Sequence, residues 1–125
     1  MMLGKLFSTK QSGDSAERVA ENYLGGQGLT LVARNYRCRY GEIDLVMQEQ
    51  DTLVFVEVRL RQTRGERDFG GAAASIGPRK QARIIASAQH YLAGMKQLPP
   101  CRFDAVLLNQ LTEVRIEWIR DAFGA

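Results

Sequence analysis

Two carboxylates, Asp44 and Glu57, occur in stretches that are otherwise apolar, and their types suit the binding of a metal ion. Asp44 follows an apolar neighbour in GEIDLV, and Glu57 interrupts the apolar run over 53–58. An unpaired carboxylate is costly to bury, and two like charges at close range repel each other. A divalent cation would offset both effects, because hard cations bind carboxylate oxygens. The alternative is an ion pair in which Arg59 or another arginine neutralises Glu57.

The two carboxylates come together if residues 41–61 fold as a β-hairpin. The run around Glu57 predicts a strand buried on both faces, and the strand before it shows apolar residues at every second position, namely Ile43, Leu45 and Met47. If residues 50–51 form the turn, Asp44 lies directly opposite Glu57 and its side chain leaves the same face. Arg59 shares that face because it lies two residues further along the strand.

Composition and length predict one soluble domain. The chain has 125 residues, of which 45% are hydrophobic and 25% charged, with a net charge of +3. We expect a flexible N-terminal segment over 1–13 and a single domain over 14–125. Cys38 and Cys101 fit no metal-binding spacing, so we expect reduced thiols and a cytoplasmic location. No apolar run is long enough to cross a membrane, which predicts no membrane partner.

The remaining elements give the fold class. A helix is expected to begin at Asp14 or Ser15 and to end near Leu24, and a second helix is expected to begin at Pro78, with an apolar face reaching Met95. Further strands are expected over 29–36, 102–108 and 114–119. The order is αβββαβ with a terminal β. Three strands in a meander followed by a helical crossover predict an α/β fold with a mixed central sheet flanked by helices.

Basic residues cluster before and inside the second helix. Arg61 and Arg64 belong to a long Gly-rich stretch over 61–77, and Arg79, Lys80 and Arg83 occupy the first turns of the helix. Cations there oppose the helix dipole, whereas an anion bound at the helix start would explain them. We therefore predict that these residues hold phosphate groups. A solvated flexible loop over 61–77 remains the alternative.

Several of these segments resemble a known family. GEIDLV, FVEVRLR, FGGAAASIGPRKQARI and RFDAV resemble blocks of the YraN family, which is similar to the archaeal Holliday-junction resolvases. Asp44 followed by Glu57-Val58-Arg59 on the next strand resembles the PD-(D/E)xK nuclease core. The resemblance covers residues 13–122 approximately. It implies a restriction-endonuclease-like αβββαβ core.

The resemblance also implies an activity and its residues. Glu17, Asp44 and Glu57 would be the carboxylates around Mg²⁺ or Mn²⁺, and Val58 would add its backbone carbonyl to the metal. Arg59 takes the position that carries lysine in the nuclease motif. The implied reaction is hydrolysis of phosphodiesters in structured or branched DNA, with the basic residues on the DNA backbone. Resolvase-like proteins often act as homodimers, although no apolar stripe identifies a dimer face.

Arg59 is the main departure from the nuclease motif. Arginine supplies charge but cannot act as a base near neutral pH, and whether Lys80 reaches the site from the second helix is open at this stage. Three functions therefore remain open. They are a metal-dependent endonuclease, a nucleic-acid-binding protein of the same fold that does not cleave, and an interaction module whose carboxylates form internal ion pairs.

Overall fold

Within the part of the chain that the structure describes, five strands and two helices follow one another in the expected order. The computed structural model describes residues 9–61, 76–109 and 115–124. The elements are α1 (Thr9–Gly26), β1 (Thr30–Cys38), β2 (Gly41–Glu49), β3 (Thr52–Arg61), α2 (Pro78–Leu92), β4 (Cys101–Asn109) and β5 (Arg115–Phe123). Neither helix of these described ranges is long and apolar enough to cross a membrane.

The strands form one mixed sheet in the order β1-β2-β3-β4-β5. The first three strands are an antiparallel meander, β4 lies parallel to β3, and β5 returns antiparallel to β4. The parallel step follows from the crossover through α2, because a parallel neighbour cannot be reached by a tight turn. This arrangement confirms the predicted mixed sheet of a restriction-endonuclease-like αβββαβ core.

The register of the central hairpin is the one that the sequence predicts. Glu49 pairs with Thr52, and the ladder continues with the same register to Leu45 and Val56. Gln50 adopts a φ of 56° in the two-residue turn, as tight hairpins of this kind require. The next positions along the two strands are those of Asp44 and Glu57.

The two faces of the sheet each carry a hydrophobic core. On one face, Ala20 and Leu24 of α1 pack in a cluster that contains Leu45. On the other face, Ile84 of α2 packs in a cluster that contains Ile43. β2 is therefore buried on both faces, and Ile43 does not share a core with Leu45 as the alternating pattern suggested. A helix on each side buries both faces, and the change of face between Ile43 and Leu45 coincides with an irregular point in the sheet, where Asn35 of β1 has a φ of 50°.

Three element bounds differ from the expectations by three residues or more, and the others differ by one or two at most. α1 begins at Thr9, before the expected cap, because Lys10 and Gln11 are good helix formers that extend a helix at little cost. α2 ends at Leu92, so Met95 lies beyond it and is 38% exposed. β5 continues past 119 to Phe123.

A buried carboxylate on β4 explains the extra length of β5. Asp104 is fully buried and accepts hydrogen bonds from Arg102 Nε at 3.0 Å, from Trp118 Nε1 at 3.0 Å and from the backbone N–H of Asp121 at 2.8 Å. Asp121 has a φ of 55°, and the β4–β5 register shifts between Phe103 and Ala105. The carboxylate therefore satisfies the backbone at a bulge, which lets the strand continue.

We predict that Asp104→Ala strongly destabilises the protein. It leaves the Arg102 guanidinium and two part-buried N–H donors, those of Trp118 and Asp121, without this buried acceptor, and breaking a buried charged network on one side costs about 3–5 kcal/mol. Urea denaturation measures the loss. Asp51→Asn, in the exposed hairpin turn, is the control and should change stability by less than about 0.5 kcal/mol. A similar small effect for Asp104→Ala would contradict the structural role.

Candidate metal centre

Asp44 lies where the backbone pairing of β2 is interrupted on both sides. On the β1 side, Asn35 stands between the pairs Arg34–Leu45 and Tyr36–Ile43 and has a φ of 50°. On the β3 side, the pairing of β2 with β3 ends at Leu45 and Val56. The backbone N–H of Val58 donates instead to Asp44 Oδ2 at 2.8 Å. The side chain of Asp44 thus holds β3 at the point where the strands separate.

Three other carboxylates surround Asp44. Glu17 of α1 and Glu57 of β3 each lie close enough to interact with its carboxyl group. One carboxylate oxygen from each of Glu17, Glu42 and Asp44 lies within 4.8 Å of the other two. Asp44 is 8% exposed and Glu57 5% exposed. Because like charges this close repel one another, a bound proton or a bound cation stabilises the cluster.

Two cations face Glu57 from different elements. Lys80, in the first turn of α2, places its Nζ 3.6 Å from Glu57 Oε2. Arg59, two residues further along β3, places its Nε 4.0 Å from the same oxygen. Lys80 therefore does reach the site from the helix, which the sequence left open.

Burial and crowding raise the pKa of both central carboxyls. Burial contributes most to raising the pKa of Glu57 to about 7, the charge of Asp44 adds to it, and Lys80 and Arg59 oppose it. Burial also raises the pKa of Asp44, and the Val58 N–H is the main opposing contact. Groups this close titrate as a pair. Near neutral pH the pair therefore still binds a proton that a cation could replace.

The donor set fits a hard divalent cation. Carboxylate oxygens are the ligands that Mg²⁺ and Mn²⁺ prefer, and oxygens bound to one Mg²⁺ at about 2.1 Å lie at most about 4.2 Å apart. Oxygens already within 4.8 Å of one another need only a small adjustment. Two groups of residues could hold the ion, and Asp44 belongs to both. One group also contains Glu57 and Val58, and the other contains Glu17 and Glu42.

A cleft of about 370 Å³ adjoins the carboxylates. It lies between the β1–β2 turn and α2, and its lining residues are Arg37, Cys38, Gly41, Glu42, Lys80, Arg83 and Ile84. Three of these are cations, and Arg37 Nε donates to Glu42 Oε1 at 3.0 Å. The cleft therefore offers positive charge to an anion beside the carboxylates. Cys38 and Cys101 are free thiols, as expected.

The residues predicted to hold phosphates divide into three groups. Lys80 and Arg83 line the cleft. Arg79 is exposed at the start of α2 but is not part of the cleft lining. The side chain of Arg61 and the whole of Arg64 lie outside the described residues, so their predicted roles stay predictions.

Sequence reasoning missed two residues of the site, Glu42 and Arg37. Glu42 lies two positions before Asp44 on the same strand, so period-two alternation could have placed it on the same face. Arg37 pairs with Glu42 across β1 and β2. That pairing depends on the turn at 39–40, whose register no local sequence pattern predicts.

Comparison with known proteins identifies the family. The model of the family described as "Uncharacterised protein family UPF0102" matches residues 16–108. A UPF0102 protein of Nitrosomonas europaea is 57% identical over 93% of this chain and 96% of its own length. A UPF0102 protein of Methylobacillus flagellatus is 55% identical, over 93% of this chain and 99% of its own length. The chain therefore belongs to the UPF0102 family, also called the YraN family.

Proposed function

We propose that the protein is a metal-dependent endonuclease that hydrolyses phosphodiester bonds in structured or branched DNA. The observation that supports this most is the buried pair of Asp44 and Glu57 with Lys80 Nζ 3.6 Å from Glu57. Two carboxylates and one ammonium group are the charged side chains of the PD-(D/E)xK core that the sequence resembles. Here the ammonium group comes from α2 rather than from β3.

Each side chain would have a separate role in such a site. Asp44 and Glu57, with the carbonyl of Val58, would hold Mg²⁺ or Mn²⁺, and Glu17 would add a carboxylate from α1. The bound ion would polarise the phosphate and lower the pKa of an attacking water. Lys80 lies on the solvent side of Glu57, 44% exposed, where its charge can stabilise the negative charge that develops on the phosphate.

Arg59 takes a supporting role in this proposal. Its Nε lies 4.0 Å from the oxygen that Lys80 also faces. A guanidinium provides a fixed positive charge and several donors but no base. With Lys80 in reach, Arg59 need only neutralise Glu57 and contact phosphate oxygens, so its presence in the lysine position does not exclude cleavage.

The presence of Arg59 favours a second function, the binding of nucleic acid without cleavage. If the chemistry requires a lysine on β3 at the position of Arg59, the same carboxylates and cleft would leave a protein that binds nucleic acid without cleaving it. Metal-dependent cleavage separates the two functions, and binding alone does not.

We predict Mg²⁺- or Mn²⁺-dependent cleavage of branched DNA that depends on Lys80. Lys80→Ala should lower the single-turnover rate about 10²-fold or more, a typical size for one charge-stabilising or proton-transferring group. Lys80→Arg keeps the charge and should stay within about ten-fold of the native rate. Asp44→Asn should abolish cleavage, and Arg59→Lys should change it little.

The outcomes of these assays are distinct. Arg115→Ala, an exposed cation on the far edge strand β5, is the control for a general loss of charge. Native-like cleavage by Lys80→Ala would rule out the role of Lys80. No cleavage of junction, flap, single-stranded or duplex DNA with either metal, while DNA binding persists, would leave the binding protein as the function.

We predict that millimolar Mn²⁺ raises the melting temperature of the native protein. A ligand that binds only the folded state stabilises it by mass action, and here it also removes repulsion between Asp44 and Glu57. The double variant Asp44→Asn with Glu57→Gln should lose the shift, whereas Asp51→Asn in the hairpin turn should retain it. A shift that survives the double variant would place the metal elsewhere.

We predict that the metal-free protein loses stability as the pH rises. The ordinary pKa of Glu57 is 4.5 and burial raises it to about 7 in the folded state, so between these values the folded state binds more protons than the unfolded state. Linkage then makes the free energy of unfolding fall across this window, by on the order of 2–3 kcal/mol. In EDTA, Glu57→Gln should match the native protein near pH 4.5 and exceed its stability at pH 8. Parallel pH profiles for the two proteins would contradict this.

A further inference from the structure

Beyond the cleft, the chain between β1 and β2 packs along α2 as far as an exposed aromatic ring, that of Tyr40. Gly41, which lines the cleft, has a φ of 147°, and a Cβ built on it would lie 3.5 Å from Ser87 Oγ. The start of β2 is thus packed against the middle of α2. Tyr40 precedes Gly41 in the β1–β2 turn, and the centroid of its ring lies 6.0 Å from that of His90, further along the same helix.

One face of α2 therefore follows the β1–β2 turn from the carboxylates outward. The residues on this face are three or four positions apart, which places them in one row. They are Lys80 at Glu57, Arg83 and Ser87 at Gly41, and His90 at Tyr40. From Lys80 to His90 the helix rises about 15 Å at 1.5 Å per residue. Stacked nucleotides advance about 3.4 Å each, so the row spans about four nucleotide steps.

The row offers charge at one end and a ring face at the other. Arg37, Lys80 and Arg83 line the cleft. Tyr40 is 41% exposed, although it is a large aromatic residue, and the guanidinium of Arg39 lies 5.2 Å from its ring centroid. Positive charge that follows a backbone, combined with an exposed ring, is the usual arrangement for binding single-stranded nucleic acid.

We propose that the cleft and Tyr40 together bind a single-stranded arm of the DNA, with phosphates on Arg37 and Arg83 and an unpaired base stacked on Tyr40. This inference rests on the proposed function, and it specifies the substrate as DNA with a single-stranded arm next to the scissile phosphate. A duplex fits this row poorly, because its base faces are already stacked on one another and cannot cover Tyr40.

The distance along α2 sets the length of the arm. His90, against which Tyr40 packs, lies about four nucleotide steps from Lys80 along α2, so a shorter arm reaches the cations but not the ring. Affinity should therefore increase sharply once the arm exceeds about four nucleotides. The base at that position should matter through its ring surface rather than its identity, since every base has a face that can stack.

The test measures binding by fluorescence anisotropy in EDTA, so that no cleavage occurs. The full chain is titrated with blunt duplex, with duplexes whose arms are shorter or longer than about four nucleotides, and with a long arm that carries an abasic site at the predicted position. We expect Tyr40→Ala to weaken binding of the long arm by about ten-fold, the effect of one lost stack. Tyr40→Phe keeps the ring and should restore native affinity.

The abasic arm separates stacking from a general disturbance. The native protein should bind the abasic arm as weakly as Tyr40→Ala binds the intact long arm. Tyr40→Ala should bind the abasic arm no more weakly than the intact arm, because the same contact is already missing. Arg37→Ala and Arg83→Ala should each reduce the slope of affinity against salt by about 0.7, the effect of one single-strand phosphate. Arg115→Ala is the matched control and should leave the slope unchanged.

Two results would overturn the inference. One is that Tyr40→Ala weakens binding of the blunt duplex as much as it weakens binding of the long arm. The other is tight binding of the abasic arm by the native protein. Because binding is measured without metal, failure of hydrolysis would count against the proposed function alone. Conversely, cleavage of blunt duplex together with indifference to the arm would remove this inference and leave the proposed function in place.

Discussion

The structure depends most on the burial of two like charges side by side. Asp44 and Glu57 are both almost fully buried, and each raises the cost of ionising the other. The surrounding elements reduce this cost from different directions, through the Val58 N–H, Glu17 on α1, Lys80 on α2 and Arg59 on β3. A fold selected only for stability would replace the pair by apolar residues, which often costs nothing or stabilises the protein. The buried pair therefore carries a cost that the proposed cation would offset.

The local backbone serves the same site. Pairing of β2 stops being regular on both sides of Asp44, with a positive φ at Asn35 and a side-chain acceptor in place of a ladder bond to β3. Departures from regular geometry cost free energy and persist where the surrounding structure enforces them. Here they occur in the middle of a well-packed sheet, between two hydrophobic cores. The rigid cores hold the opening between β2 and β3 in place.

Local sequence patterns predicted the hairpin register and element order, because both depend on neighbours in the chain. The predicted two-residue turn placed Asp44 opposite Glu57, whereas the role of Glu17 came only from the family resemblance. The missed features depend on contacts between distant residues. The extension of β5 requires the bond from Asp121 N–H to Asp104, and the role of Arg37 requires its pairing with Glu42. No periodicity within one strand or helix encodes such contacts.

Lys80 shows how a tertiary contact changes the meaning of a sequence departure. Along the chain, Arg59 replaces the motif lysine, and Lys80 is a cation in the first turn of a helix, where it opposes the dipole and weakens the helix slightly. In space the two observations have one explanation, since both side chains face the same oxygen of Glu57. In the proposed site, the ammonium group of Lys80 comes from α2, so the guanidinium of Arg59 on β3 would need only to supply charge. The unfavourable interaction of Lys80 with the helix dipole is then offset by its attraction to the buried carboxylate of Glu57. This attraction explains a position that helix stability alone would not favour.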